Sequence, residues 1–546
     1  MPSIADLIVR HLRDAGVGRI FGMPGGGSNL DLIDAARRAG LPFVLTSSET
    51  AGALAAMAQA EISGRPGACL TTLGPGVASV VNGVACAWLD RAPVLVFTDS
   101  HPPSAGGIFE HQRLDHRALL APVTKWSATL SEENADEVMR EAIDRAMAEP
   151  RGPVHLEWPA DLTAQSSVAS RQSSVASRQS TAVSLESSVT SHQSPATSHD
   201  VARFERLITE SRRPVLLIGL GARGLPDATA VRALCASHDL PAMVTYKAKG
   251  VVPDADRHFA GVFTNGAIEA PLLEESDLLI GVGLDPVELI PRPWRYEQPI
   301  VNCGRCAMDD RHVPFAAQHV TDVPSGLRRI GALLPRSTWD LAAVRHRVVA
   351  DRGRLCPSSE RLAAHRVVQI TADAAAPTAR VTVDAGAHMF PSTMLWPVAE
   401  PNRMLISNGL STMGFALPAA IGAALQDNTG PVIALTGDGG LLMCAAELLT
   451  AVRERLHVIV VVFSDASLSL IDIKQRQRAY ASTGVSLGAI AWRSLAESFG
   501  AAAHVASTEA ELTRALTRAL GHRGPSLLEV KVDPAGYPET LRAVRG

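Results

Sequence analysis

The chain has 546 residues, 46% of them hydrophobic and 19% charged, which is room for about three domains of ordinary size. A net charge of −4 offers nucleic acid or an anionic membrane no electrostatic handle, and no run is long and apolar enough to span a bilayer. Seven cysteines in so long a chain do not make a disulfide framework, which fits a reducing cytoplasm.

The first residues lack the apolar core of a signal peptide and read as an amphipathic helix, with Ile4, Leu7, Ile8, His11 and Leu12 on one face. Strand and helix patterns then alternate to about residue 163. Apolar runs at 18–21, 43–46, 68–72 and 93–98 predict strands. The turns between them are Met23-Pro24-Gly25-Gly26-Gly27, Ser47-Ser48-Glu49-Thr50 and Leu73-Gly74-Pro75-Gly76, and residues 51–60 are an alanine-rich helix. This alternation predicts a doubly wound parallel sheet. Residues 165–199 break the pattern. QSSVASR occurs twice in tandem, and Ser, Thr, Ala and Gln dominate. Such a stretch buries too little apolar surface to offset its own ordering, and it reads as a flexible linker.

Residues 200–335 form a second α/β unit. A strand at 214–218 runs directly into Gly219-Leu220-Gly221-Ala222-Arg223-Gly224, the nominal dinucleotide fingerprint. That fingerprint needs an acid at the end of the next strand, but 242–245 ends in Tyr246-Lys247, which argues against NAD. Cys303-Gly304-Arg305-Cys306 is a lone CxxC with no second pair, and it reads as two ordinary thiols near a strand end. Residues 336–365 are a charged, helical connector, and a third unit spans 366–546.

Within that unit, residues 431–467 carry the strongest signal. Residues 432–435 and 458–463 predict buried strands. Between them lie Gly437-Asp438-Gly439-Gly440 and a helical stripe of Ala445, Leu448, Leu449, Val452 and Leu456. A right-handed crossover ends both strands on one sheet edge. Asp438 and Asp465 then stand side by side, roughly 5 Å apart if the strands pair. Two unpaired carboxylates there repel, so Mg²⁺ or Ca²⁺ bound to a phosphorylated ligand is the natural partner. The glycines let a phosphate approach the backbone.

This arrangement resembles the thiamine diphosphate-dependent enzymes, in the branch of acetolactate synthases and 2-oxo acid decarboxylases. The resemblance implies three doubly wound parallel-sheet domains: pyrimidine-binding (1–164), central (200–335) and diphosphate-binding (366–546). It implies that Asp438, Asp465 and the carbonyl of Ser467 hold Mg²⁺ on thiamine diphosphate, although the family usually has two asparagines where Ser464 and Asp465 stand. Gly386, His388, Gly439 and Gly440 would meet the diphosphate. Glu49 would hydrogen-bond the pyrimidine, burial raising its pKa. Met413 would hold the cofactor bent, and the Ser411 carbonyl would accept from its amino group. Gly26, His111, Gln112 and Lys474 would face the substrate, with Leu468, Leu470 and Ile471 as an apolar wall. His111 reads equally as a proton-handling group or a loop histidine, and Lys474 as a carboxylate clamp or a solvated lysine. FAD occupies the central domain of biosynthetic acetolactate synthases. Here Gly281-Val282-Gly283-Leu284-Asp285 replaces the arginine-containing stretch, which makes FAD doubtful.

The expected activity is decarboxylation of a 2-oxo acid with carboligation to a second carbonyl, in a cytoplasmic homodimer or homotetramer whose sites lie between subunits. The alternatives are a non-ligating decarboxylase of the benzoylformate type and a catalytically silent relative.

Overall fold

The structure is a computed structural model, and it describes residues 3–102, 110–159, 198–376 and 379–546. The serine-rich stretch 165–199 lies outside the described residues except for its last two positions, where the helix Ser198–Glu210 begins. Two compact units divide the chain, Met1–Val189 and Thr190–Gly546.

The first unit is a six-stranded parallel sheet. Its strands are β1 (Ile20–Gly22), β2 (Phe43–Leu45), β3 (Gly67–Thr71), β4 (Val94–Ser100), β5 (Ser127–Thr129) and β6 (Val154–Pro159), in the order β2-β1-β3-β4-β6-β5. β3 is buried throughout and β4 nearly so, as the unbroken apolar runs require of strands covered on both faces. The helix Glu49–Ser63 starts where the Ser48 side chain accepts from the Ala51 amide, and it ends on Gly64 at φ 68. Its small residues let it pack tightly. A Cβ on Gly83 of the helix Pro75–Leu89 would stand 2.6 Å from Ala53 Cβ.

The second unit holds two more sheets of the same kind. One comprises β7 (Pro214–Ile218), β8 (Ala242–Val244), β9 (Phe259–Val262), β10 (Leu278–Val282), β11 (Ile300–Gly304) and β12 (Phe315–Val320), in the order β12-β11-β10-β7-β8-β9. The other comprises β13 (Arg380–Val383), β14 (Met404–Ile406), β15 (Val432–Gly437), β16 (Val458–Ser464), β17 (Ala502–Ala506) and β18 (Ser526–Lys531), in the order β14-β13-β15-β16-β18-β17. All named strand pairs in the molecule are parallel. The doubly wound α/β expectation therefore holds for each sheet.

The last two residues of the connector begin the helix Ala364–Ala374. The connector carries one helix of its own, Leu341–Arg354, which stops because Pro357 follows two residues after the cap and cannot continue it. A buried carboxylate ties this helix to both sheets of the unit. Asp254 receives Lys249 Nζ at 3.0 Å, Arg352 Nη2 at 2.5 Å and the Val398 amide at 3.0 Å. All seven cysteines are free, and burial pushes the Cys303 thiol up to about 12.

The Gly219–Gly224 turn closes on itself. Its Gly219 amide donates to Val282 O (3.0 Å), Gly221 to Gly283 O (2.9 Å), and Leu220 to Glu288 Oε2 (2.8 Å). A Cβ on Gly219 would lie 2.5 Å from Gly283 O, so two glycine turns pack backbone to backbone. The N–H groups that a pyrophosphate would need already have protein acceptors. The Glu288 carboxyl supplies the acceptor that a ligand would otherwise provide, and it also accepts from Thr245 Oγ1 at 2.6 Å.

Burial pushes Glu288 up to about 8 from an ordinary 4.5. The native state then holds a proton that the unfolded state has lost, so stability declines as pH rises through that window. Glu288→Gln should keep the fold and give a shallower decline of urea midpoint between pH 5 and pH 9 (about the window of the shift). An identical slope would show that the carboxyl ionises normally. Gly22 stands at φ +145, and a Cβ there would fall 1.9 Å from Leu70 O. Gly22→Ala should therefore cost roughly 3 kcal/mol in chemical denaturation.

Candidate active site

In the first unit, Glu49 is the first residue of its helix and is half-buried within the single chain. A Cβ on Gly76 would stand 3.4 Å from Glu49 Oε1, so the carboxyl lies against the first turn of the helix Pro75–Leu89. The turn before it is fixed from below. Gly74, at φ +61, donates its amide to His116 Nε2 at 3.0 Å. That bond places the ring proton on Nδ1, which lies 3.2 Å from Glu157 Oε1. Arg117 Nε donates to the other oxygen at 3.1 Å. Burial alone would raise the Glu157 carboxyl, but His116, His155 and Arg117 outweigh it and hold it at about 2. Nothing in the sequence pattern marked His116 or Glu157.

His111 and Gln112 are exposed. The His111 carbonyl lies 2.9 Å from His101 Nε2, and Gln112, at φ 58, packs its backbone beneath Gly74. Gly26 is exposed, with open space where a Cβ would stand. Lys474 is exposed on the helix Ser469–Gln477. Among the described residues, no side-chain hydrogen bond joins His111, Gln112 or Lys474 to another expected site residue.

In the last sheet, β15 pairs directly with β16, Gly437 opposite Phe463, and the next residues are Asp438 and Ser464-Asp465. The carboxylates do not stand bare, as the sequence alone implied. Asp438 Oδ2 accepts from the amides of Asp465 (2.9 Å) and Ala466 (2.7 Å), and Oδ1 accepts from Trp492 Nε1 (2.8 Å). Asp465 accepts from the Ser467 amide at 3.1 Å and Ser469 Oγ at 2.5 Å. Burial pushes Asp465 up to about 6, with the Asp438 charge adding to the effect. Ala466, the residue after Asp465, adopts φ 59, a left-handed conformation that costs a residue with a Cβ about 1 kcal/mol.

Two readings of this region are corrected. The single helix expected after Gly440 is two, Asp438–Leu442 and Glu447–Arg453. The break turns Leu442, Met443 and Leu449 outward, while Glu447 is buried and its carboxylate accepts from Thr450 Oγ1 at 2.8 Å. Leu468, Leu470 and Ile471 form no common wall, because neighbouring residues on a helix face different ways. Leu468 covers Gly439, Leu470 packs on the core and Ile471 is exposed.

The residues expected at a diphosphate come together here. A Cβ on Gly439 would stand 2.4 Å from Leu468 Cδ2 and 3.0 Å from Met413 Cε; one on Gly440 would stand 2.6 Å from Asp384 Oδ2. A Cβ on Gly386 or Gly437 would meet the His388 ring at 2.8 or 3.2 Å. His388 stacks on Phe463, and burial pushes it down to about 4, so it is neutral. Its Nε2 is buried without a hydrogen-bond partner among the described residues. Ser411 is exposed at φ 54, two residues before the half-buried Met413. Asp384, just past the end of β13, organises this corner. It accepts from the amides of Gly414 (2.9 Å) and Ala385 (2.9 Å) and from Thr436 Oγ1 (3.0 Å), and burial pushes it up to about 6.

Among the described residues, no three His, Cys, Asp or Glu side chains converge as a self-sufficient metal centre. Two carboxylates and a turn carbonyl match Mg²⁺, which takes few protein ligands and fills its shell from phosphate and water. The glycines of this corner pack against Leu468, Met413, Asp384 and His388, and the buried His388 Nε2, without a partner among the described residues, is left to meet a polar atom of a ligand beside that ion.

Sequence comparison agrees with this geometry. Residues 2–119 match the thiamine pyrophosphate enzyme N-terminal TPP binding domain, 201–329 the central domain and 384–530 the C-terminal TPP binding domain. The chain is 28% identical to acetolactate synthase of Bacillus subtilis, over 97% of this chain and 93% of the relative. It is 28% identical to the large subunit of acetolactate synthase isozyme 1 of Escherichia coli, over 97% and 94%. It is also 29% identical to a probable 2-ketoarginine decarboxylase, AruI, of Pseudomonas aeruginosa, over 96% and 93%. The chain belongs to the thiamine diphosphate-dependent enzymes, in the branch of acetolactate synthases and 2-oxo acid decarboxylases.

Proposed function

We propose that this acetolactate synthase-like enzyme decarboxylates a 2-oxo acid and transfers the remaining acyl unit to a second carbonyl, with thiamine diphosphate anchored by Mg²⁺. The observation that carries the proposal is the hydrogen-bonded pair Asp438 and Asp465 on neighbouring strand ends. Thiamine diphosphate supplies, when bound, the carbon nucleophile and the sink for electrons left by departing CO₂.

The protein's own part is to bind, orient and handle protons. Asp438, Asp465 and the Ser467 carbonyl hold the ion, and Gly386, His388, Gly439 and Gly440 receive the diphosphate. Met413 supports the cofactor from the side and the Ser411 carbonyl accepts from its amino group. Glu49 shares a proton with the pyrimidine ring, and its place against the Gly76 turn limits its freedom. Gly26, His111, Gln112 and Lys474 face the substrate. We further propose domains at 1–164, 200–335 and 366–546, a 165–199 linker, and a dimer or tetramer with sites shared between subunits. In this reading the central domain mainly packs and orients, and FAD is doubtful because Gly281-Val282-Gly283-Leu284-Asp285 replaces the arginine-containing stretch.

Glu49→Gln should lower kcat by about 10²–10⁴-fold while leaving the fold intact by circular dichroism. A variant as active as the parent would remove Glu49 from the chemistry. With pyruvate as substrate, acetolactate should form; aldehyde as the sole product would reject transfer in favour of simple decarboxylation. Lys474→Ala should raise KM for the acid substrate with little change in kcat, and an unchanged KM would reject the clamp.

A further inference from the structure

We infer that Trp492 is a positioning residue for the metal-binding carboxylate: its indole N–H fixes which lone pair Asp438 presents to a divalent cation. This inference rests on the Mg²⁺-anchored thiamine diphosphate reading above. Trp492 is the first residue of the helix Trp492–Phe499, 54 residues beyond Asp438, and is wholly buried. Its Nε1 donates to Asp438 Oδ1 at 2.8 Å.

The count of acceptor positions makes the bond consequential. Each carboxylate oxygen has about two acceptor directions. Those of Oδ2 are filled by the amides of Asp465 and Ala466, at 2.9 and 2.7 Å. Oδ1 keeps one direction after the indole takes the other. One acceptor direction of Asp438, on Oδ1, is therefore left for a cation. Indole is a donor only, so Trp492 cannot compete with the carboxylate for the ion. Because it is buried within its helix, it cannot turn away without leaving the N–H unpaired.

The segment before Trp492 is tied to the same turn. Leu468 N donates to Val485 O at 2.8 Å, Leu487 N to Ala466 O at 2.9 Å, and Ser467 bridges Ser486. Residues 485–492 thus run as a strap from one side of the acidic turn to the other, with Trp492 pinning its end to Asp438. Partners of this kind set the orientation and basicity of the ligand they hold, and their loss weakens metal binding without removing a ligand.

The test is calorimetric titration of Mg²⁺ into the full-length protein saturated with thiamine diphosphate, for the parent, Trp492→Phe and Ala496→Gly. Ala496 is buried on the same helix and its methyl side chain offers no hydrogen bond, so it reports on packing alone. Trp492→Phe should raise the Mg²⁺ Kd roughly 10–100-fold, with KM for the 2-oxo acid unchanged once Mg²⁺ saturates. Ala496→Gly should bind Mg²⁺ like the parent. Equal affinity in Trp492→Phe, or an equal loss in Ala496→Gly, overturns the positioning role while leaving the metal site standing. A parent that binds no Mg²⁺ overturns both readings. Should the smaller ring fail to fold, benzothienylalanine at 492 removes the N–H at constant bulk and meets the same two outcomes.

Discussion

The register between β15 and β16 is the constraint from which the site follows. Pairing Gly437 with Phe463 ends both strands at one level and brings the residues after them into contact. A carboxylate buried at such an edge must be satisfied, since an unpaired buried charge is among the costliest features a fold can carry. Asp438 meets that demand with two turn amides and one indole. In doing so it fixes the acidic turn, the left-handed Ala466 and the start of the helix Trp492–Phe499. One acceptor direction of Asp438 remains unfilled, and a hard cation is its complement.

The same device recurs at other sheet edges. Asp99, near the end of β4, accepts from the Asn29 amide at 2.9 Å and Ser28 Oγ at 2.5 Å. Asp384, just past β13, gathers the amides that place Met413. Glu157 on β6 orients His116, and through it the Gly74 turn beside Glu49. Glu288 caps the central glycine turn. All but the half-buried Glu157 are buried acids at or near the carboxyl edge of a parallel sheet, where turn amides point outward and lack strand partners. Several of these acids gain no cation, and burial accordingly raises Glu288 and Asp384.

Two glycine-rich turns of similar composition meet different ends for this reason. At Gly219–Gly224 the amides find acceptors in the neighbouring turn and in Glu288, and the surface is sealed. At Gly437–Gly440 the glycines lie against Met413, Leu468 and Asp384, and His388 Nε2 is left without a partner among the described residues. A glycine motif after a strand therefore does not by itself name a phosphate site. What decides is whether the neighbouring chain supplies protein acceptors or leaves that position to a ligand.

Local pattern alone located β1 to β4, β7, β8, β15 and β16, the winding of the first sheet and the placing of Asp438, Asp465, Gly439 and Glu49 at strand or helix ends. These depend on period, apolar run length and glycine position, all carried by neighbours in the chain. Tertiary structure decided the rest. The break between Leu442 and Glu447, the outward turn of Leu449 and Ile471, and the closing of the Gly219 turn each depend on a residue distant in sequence. So do the roles of Asp384, His116 and Trp492: the indole that holds Asp438 lies 54 residues away, and no local spacing encodes a hydrogen bond between two side chains that only the packed sheet brings within 2.8 Å.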